Sequence, residues 1–183
     1  AYSPTFMVWD SAFDGTILQF GGKATNSSYA TYAFNATNSQ VNPYPINCVS
    51  NILGVSDFGW QLTTLGNFYL PTNSTLVNTG SLANAASIGL YHFTTQTNQD
   101  KEAESRLDIG YHYVAVDANG VPLDIDMDGI ADYLEDANGD GAQGVGETAY
   151  WTWDTDSDGI GDWYELNQYF TDPNNSDTDY DGR

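Results

Sequence analysis

The sequence predicts a mainly β protein in two parts: a β-rich part over residues 1–116, and an acidic segment with short helices over residues 117–183. Two observations support this prediction. Short runs of β-branched and aromatic residues recur through the first part, and acidic residues concentrate in the second.

The charge of the chain is strongly negative and unevenly distributed. Asp and Glu number 25 against 4 Lys and Arg, a formal net charge of −21. Residues 1–116 contain seven acids and three bases, a net −4, so residues 117–183 carry the remaining 18 acids and one base, a net −17. This charge disfavours nucleic acid and anionic membranes as partners and favours cations. No stretch has the roughly 18 apolar residues of a membrane span.

The β-rich part consists of short runs separated by Gly, Asn, Ser and Pro clusters. Examples are TFMVWD, TILQF, YATYAF, GNFYL and GYHYVAV. Aromatic and β-branched residues favour strands, and the intervening residues favour turns. Runs of this length fit either a parallel β-helix or a β-sandwich, and periodicity alone does not choose between them.

A resemblance favours the β-helix. The stretches LPTNSTLVNTGS (70–81) and LDIGYHYVAV (107–116) resemble the closing coils of bacterial right-handed parallel β-helix proteins of the pectate-lyase-like kind. The resemblance implies that residues 1–116 form the end of a β-helix, with Asn and Gly at its corners and apolar residues stacked inside.

The acidic segment contains the pattern D-x-[DN]-x-[DN]-G-x₅-E three times, and we number its positions 1 to 12. We call residues 124–135 the first loop, 136–147 the second loop and 154–165 the third loop. Their candidate ligands are Asp124, Asp126, Asp128, the carbonyl of Ile130, Asp132 and Glu135; then Asp136, Asn138, Asp140, the carbonyl of Ala142 and Glu147; then Asp154, Asp156, Asp158, the carbonyl of Ile160, Asp162 and Glu165.

This spacing is that of EF-hand-like calcium loops, in which side chains at positions 1, 3 and 5, a carbonyl at 7 and a glutamate at 12 surround the ion. Magnesium prefers fewer protein ligands, and zinc and copper prefer nitrogen and sulfur. A fourth, incomplete match places Asp177, Asp179 and Asp181 at positions 1, 3 and 5. We therefore expect three to four calcium ions, with the second loop weakest because it lacks an acid at position 9.

The loops follow one another too closely for paired EF-hands. The stretch DTDSDGIGDWYELNQYFTDPNNSDTDYDG resembles thrombospondin type 3 repeats of bacterial surface proteins. The resemblance implies a chain wrapped around calcium ions that supply its folding energy. It further implies a secreted, structural or adhesive module at a bacterial cell surface.

Two alternatives to a structural role stay open. A polysaccharide-degrading β-helix enzyme would need a base or paired carboxylates in a groove, and the candidates are scattered: Lys23, Lys101, Arg106, His92 and His112. A carbohydrate-binding module would use exposed aromatic rings, with Trp9, Trp60 and Trp151 as candidates to bind a cell-surface glycan.

Assembly is a further expectation. An open β-helix end and an unfinished fourth loop would both be completed if copies of the chain stacked into a calcium-dependent filament, since a head-to-tail contact does not close. The alternative is that residues beyond Arg183 in a longer chain complete the loop.

Overall fold

The first 57 residues contribute two small parallel sheets. The computed structural model describes the backbone of six short strands here, then residues 58–178, 180 and 182. The strands are β1 Met7–Trp9, β2 Ala12–Phe13, β3 Thr31–Ala33, β4 Ala36–Thr37, β5 Cys48–Val49 and β6 Ile52–Leu53. One sheet has the order β1-β3-β5 and the other β2-β4-β6, and all pairs are parallel.

A small apolar core lies in residues 58–116. Phe58, Leu70, Leu76 and Ile109 are nearly fully buried and contact one another, and Trp60 packs against them. The Trp60 ring stacks on Phe58 with centroids 5.2 Å apart. Burial of these side chains supplies the hydrophobic stabilisation of this part of the chain.

Few regular elements surround this core. A 3₁₀ helix spans Ala85–Ile88; the side chain of Asn84 accepts from the Ala86 N–H at 2.8 Å to cap it, and it ends at Gly89 with φ +81°. Strands β7 Phe93–Thr94 and β8 Tyr113–Val114 pair antiparallel.

Buried carboxylates, instead of a longer β-sheet, accept several of the hydrogen bonds in this region. Asp108 accepts the Asn78 N–H at 2.6 Å and the Thr95 hydroxyl at 2.5 Å. Glu102 accepts the Asp108 N–H at 3.3 Å and lies 2.9 Å from His112 Nε2. Burial raises the pKa of Asp108. These bonds fasten turns to one another, since buried polar groups must find partners.

The fold-class prediction is wrong. Residues 58–178 are mostly turns and irregular backbone, with one antiparallel strand pair and a few short helices, and they do not form a parallel β-helix. The stretch 70–81 is a series of turns. Strand β8, within 107–116, pairs antiparallel with β7 instead of stacking on a parallel rung. Runs of two or three apolar residues do not determine whether a strand continues, and here turn and side-chain hydrogen bonds satisfied the backbone instead.

The predicted junction, residues 114–124, is a tight turn. Asp117 Oδ1 accepts the N–H groups of Asn119 at 2.8 Å and Val121 at 2.9 Å. The Leu123 N–H then donates to the Ala115 carbonyl at 3.1 Å. The chain therefore folds back on itself as it enters the acidic segment.

The acidic segment contains only short helices among its described residues. Helix α1 spans Asp132–Glu135, and α2 spans Asp162–Tyr164 and continues as a single π-helical turn over Glu165–Tyr169. Each helix starts with an aspartate, which suits the positive end of the helix dipole. In the part of the chain that the structure describes, no helix is long and apolar enough to cross a bilayer.

Candidate metal centre

The first loop is curved by bonds to its first carboxylate. Asp124 Oδ1 accepts the Met127 N–H at 2.8 Å, and Oδ2 accepts the Gly129 N–H at 3.1 Å. Both donors have positive φ, 63° at Met127 and 104° at Gly129. Glycine adopts such a backbone without the steric cost of a Cβ, which explains the fixed glycine at position 6.

The third loop has the same geometry. Asp154 accepts the Ser157 N–H at 2.7 Å and the Gly159 N–H at 2.9 Å. The φ angles are 65° at Ser157 and 94° at Gly159. Two segments 30 residues apart therefore form the same local structure from the same spacing.

The carboxylates at positions 3 and 5 extend this curvature. Asp126 Oδ1 accepts the Asp128 N–H at 3.2 Å, and Asp128 Oδ1 accepts the Ile130 N–H at 2.7 Å. The third loop repeats both bonds, at 3.1 and 2.7 Å. In each loop the carboxylates of positions 1, 3 and 5 present oxygens that all lie within 4.8 Å of one another.

The glutamate at position 12 is buried in both loops. Glu135 is 2% exposed and Glu165 is 1% exposed. One oxygen of each accepts a threonine hydroxyl, from Thr148 at 3.1 Å and from Thr171 at 2.9 Å. The second oxygen of each glutamate, Oε2, is buried without a hydrogen-bond partner.

In each of these two loops, the aspartate at position 3 also has a buried oxygen without a hydrogen-bond partner. Asp126 Oδ2 and Asp156 Oδ2 are also buried without a hydrogen-bond partner. A buried anionic oxygen without a partner is strongly unfavourable unless a cation neutralises it. Positions 3 and 12 are both expected ligand positions of a calcium loop.

The pKa values show the cost of gathering these carboxylates without a cation. Burial, followed by the charge of Asp126, raises the pKa of Glu135 from 4.5 to about 8. Burial also raises the pKa of Asp126 to about 6. The pKa values of Asp128, Asp156 and Glu165 are raised for the same leading reason.

The donors fit calcium. Each cluster offers several carboxylate oxygens, and no nitrogen or sulfur atom belongs to the clusters found in the described part of the chain. Calcium takes six to eight oxygen ligands in flexible geometry. The residues present are therefore of the type that calcium requires.

The second loop differs at position 12. Glu147 accepts the N–H groups of Asn138 at 2.9 Å and Gly144 at 2.7 Å, so both of its oxygens have protein donors. Asp136 accepts the Gly141 N–H at 2.7 Å and also lies 2.9 Å from His92 Nε2. Asp140 Oδ1 accepts the Ala142 N–H at 2.9 Å. The Gly141 and Ala142 bonds repeat those of the first and third loops. The second loop differs in the two donors to Glu147 and in the contact of Asp136 with His92, which occupy oxygens that a metal would need.

Asp132, at position 9 of the first loop, faces the N-terminal part. Its Oδ2 lies 3.9 Å from Lys101 Nζ and 3.8 Å from His92 Nδ1. Burial, followed by the Lys101 charge, lowers the pKa of His92. The sequence offered no signal for these contacts, because they join residues some 30 to 40 positions apart.

Asp162, at position 9 of the third loop, faces the first loop. Oxygens of Asp128, Glu135 and Asp162 lie within 4.8 Å of one another. In addition, the Trp163 N–H donates to Asp128 Oδ2 at 3.2 Å. The first and third loops are therefore in direct contact.

The fourth loop is described in part. The Gly182 N–H donates to Asp177 Oδ2 at 3.0 Å, the bond expected from position 6 to position 1. Asp179 and Asp181 lie outside the described residues.

The residues considered for an enzyme active site or for a glycan-binding site lie in several different environments. Lys23 and the side chain of Trp9 lie outside the described residues. The Arg106 guanidinium donates to the Gly80 carbonyl at 2.8 Å. Trp60 packs on the core, whereas Trp151 is 50% exposed.

Comparison of the chain with protein-family models, with curated proteins and with solved structures gives no match. The resemblance to thrombospondin type 3 repeats therefore stays a prediction, whereas the β-helix that the other resemblance implied for residues 1–116 is not found in the described residues.

Proposed function

We propose that the first and third loops bind calcium, and that the bound ions hold residues 124–165 in their folded form. The observation that carries this proposal is the pair of buried carboxylate oxygens without hydrogen-bond partners in each loop, at positions 3 and 12. A cation between them would remove the cost of burying these charges, and the converging side chains offer oxygen donors.

Calcium would here act as a structural element. Beyond residue 116, the described side chains that are both apolar and buried are Ala149, Tyr150 and Pro173. Such a core is too small to offset the repulsion of 17 net negative charges over residues 117–183. Metal binding that occurs only in the folded state adds its free energy to folding.

The role we propose is that of an extracellular structural or adhesive module, in which calcium stiffens the acidic segment. Calcium loops of extracellular modules work at dissociation constants of about 10⁻⁴–10⁻³ M, and the high negative charge suits a solvated, secreted protein. The filament hypothesis has lost one of its two supports, since the predicted open β-helix end is not found in the described residues.

Glycan binding is a second candidate because aromatic rings are exposed beside the loops. Trp151 and Trp153 are each 50% exposed, and such rings can stack on sugars. A glycan array comparing the wild type with Trp151→Ala tests this candidate; binding that survives the substitution would remove Trp151 from it.

Calorimetric titration of the chelator-treated chain with calcium tests the main proposal. We expect two principal sites in the wild type and the loss of one in Glu165→Gln. Glu147→Gln is the matched control, because it makes the same substitution at position 12 of the second loop and is expected to leave both sites. Absence of calcium binding, or equal loss in the two variants, would contradict the proposal.

A further inference from the structure

We infer that Asp162 of the third loop is a ligand of the first loop's cation, so that the two loops form one coupled two-ion centre. This inference rests on the proposed function and adds a cross-loop ligand that the spacing of the motif does not contain.

Asp162 lies among the ligands of the first loop. It is fully buried, and its carboxylate meets Asp128 and Glu135, the residues at positions 5 and 12 of the first loop, with oxygens within 4.8 Å of one another. The oxygens that converge in the third loop itself belong to Asp154, Asp156 and Asp158. Asp162 therefore gathers with the ligands of the other loop.

Hydrogen bonds hold Asp162 in this position. Its Oδ1 accepts the Thr155 N–H at 2.8 Å, and its Oδ2 accepts the Thr155 hydroxyl at 2.6 Å. An ionised carboxylate offers about four lone-pair positions, so each oxygen keeps capacity for a metal. The neighbouring Trp163 N–H also fixes Asp128, at 3.2 Å.

The same cluster contains an unpartnered oxygen. Glu135 Oε2 is buried without a hydrogen-bond partner. Three carboxylates that meet at such distances in a buried position repel one another strongly unless a cation lies between them. The cluster of Asp128, Glu135 and Asp162 therefore contains a buried carboxylate oxygen without a hydrogen-bond partner, as the clusters within the two loops do.

The equivalent residue of the first loop, Asp132, has a protein cation as its neighbour. Also at position 9, it reaches back to the preceding part of the chain and there meets the ammonium group of Lys101, 3.9 Å away. Asp162 reaches back to the first loop in the same way but meets Asp128 and Glu135. Each position-9 carboxylate thus faces the unit before it. Asp132 Oδ2 has no hydrogen-bond partner and lies near the Lys101 ammonium, whereas Asp162 faces two further carboxylates, whose repulsion a metal ion would offset.

The test compares one substitution in two backgrounds by calorimetric titration with calcium. Glu165→Gln removes the position-12 ligand of the third loop and leaves the first loop's site. Glu135→Gln does the reverse. Asp162→Asn is then added to each. Asp172→Asn, which makes the same charge change at an exposed aspartate ten residues further along the chain, is added as the control.

We expect Asp162→Asn to weaken the remaining site at least roughly tenfold in the Glu165→Gln background, since even residues that only support a ligand cost 10–100-fold in metal affinity. In the Glu135→Gln background we expect a clearly smaller effect, because position 9 commonly acts through a water molecule. Equal losses in both backgrounds, or a larger loss in the second, would overturn the inference. General unfolding produces equal losses and so counts against it. If the wild type binds calcium at two sites but this difference is absent, only the cross-loop ligand fails; if the wild type binds none, both proposals fail.

Discussion

Replacing Glu135 by glutamine should stabilise the calcium-free protein while weakening its calcium binding. In the absence of metal, burial and the charge of Asp126 raise the pKa of Glu135 from 4.5 to about 8. At neutral pH the unfolded chain has this group ionised, so calcium-free folding must take up a proton. Glutamine has the same shape without the charge and can still accept the Thr148 hydroxyl.

The magnitude follows from the two pKa values. Proton uptake over the interval from pH 4.5 to about pH 7, at roughly 1.4 kcal/mol per pH unit, costs on the order of 3 kcal/mol. Glu135→Gln removes this cost, so the equilibrium ratio of open to folded calcium-free protein should fall by up to about two orders of magnitude.

Chymotrypsin digestion in excess chelator measures this change, because cleavage tracks the open population when opening and closing are fast. The segment offers Tyr133, Trp151 and Trp153 as cleavage positions. Glu147→Gln is the control: its wild-type carboxylate accepts two backbone N–H groups, so its loss should speed cleavage. If Glu135→Gln also speeds cleavage, the reasoning about buried, unpartnered charge is refuted.

Three further predictions concern the loops. As pH rises from about 5 to about 8, the calcium-free protein should lose stability. Asp126 and Glu135 have folded-state pKa values of about 6 and about 8, so in this range the folded form binds protons that the unfolded form has already released. Hydrogen exchange in chelator measures the stability, and a stability that rises with pH would contradict the prediction. Glu165→Ala should weaken calcium binding in calorimetry more than Asn138→Ala, and equal effects would invalidate the ranking of the loops. Gly159→Ala should destabilise the calcium-bound form by about 1–2 kcal/mol through backbone strain alone, because φ is +94° there and an added Cβ has no atom within 4 Å. Thermal unfolding measures this, and an unchanged midpoint would exclude backbone strain.

The local structure of the loops could be predicted because it depends on spacing within twelve residues. The distance in sequence from Asp124 to Gly129 fixes which N–H can reach the carboxylate, and the same bond recurs from Asp154 to Gly159. Such contacts need no information from elsewhere in the chain.

The remaining structure depends on contacts distant in sequence. Lys101 contacts Asp132, and Asp162 lies beside Glu135. Predicting these contacts requires knowing how the chain folds between the residues, which the local spacing does not give. The β-helix prediction was wrong for the same reason: apolar runs such as those around Tyr113 show where a strand forms, but its partner, here Phe93–Thr94, is set by tertiary packing.

The most direct test of calcium as the structural element is small-angle scattering of the chain at saturating calcium and in excess chelator, combined with circular dichroism. We predict that chelation expands residues 124–183 by charge repulsion, while residues 1–116 keep their circular dichroism signal, and that added calcium reverses the change. A chelated protein with unchanged dimensions and unchanged protease resistance would contradict the account.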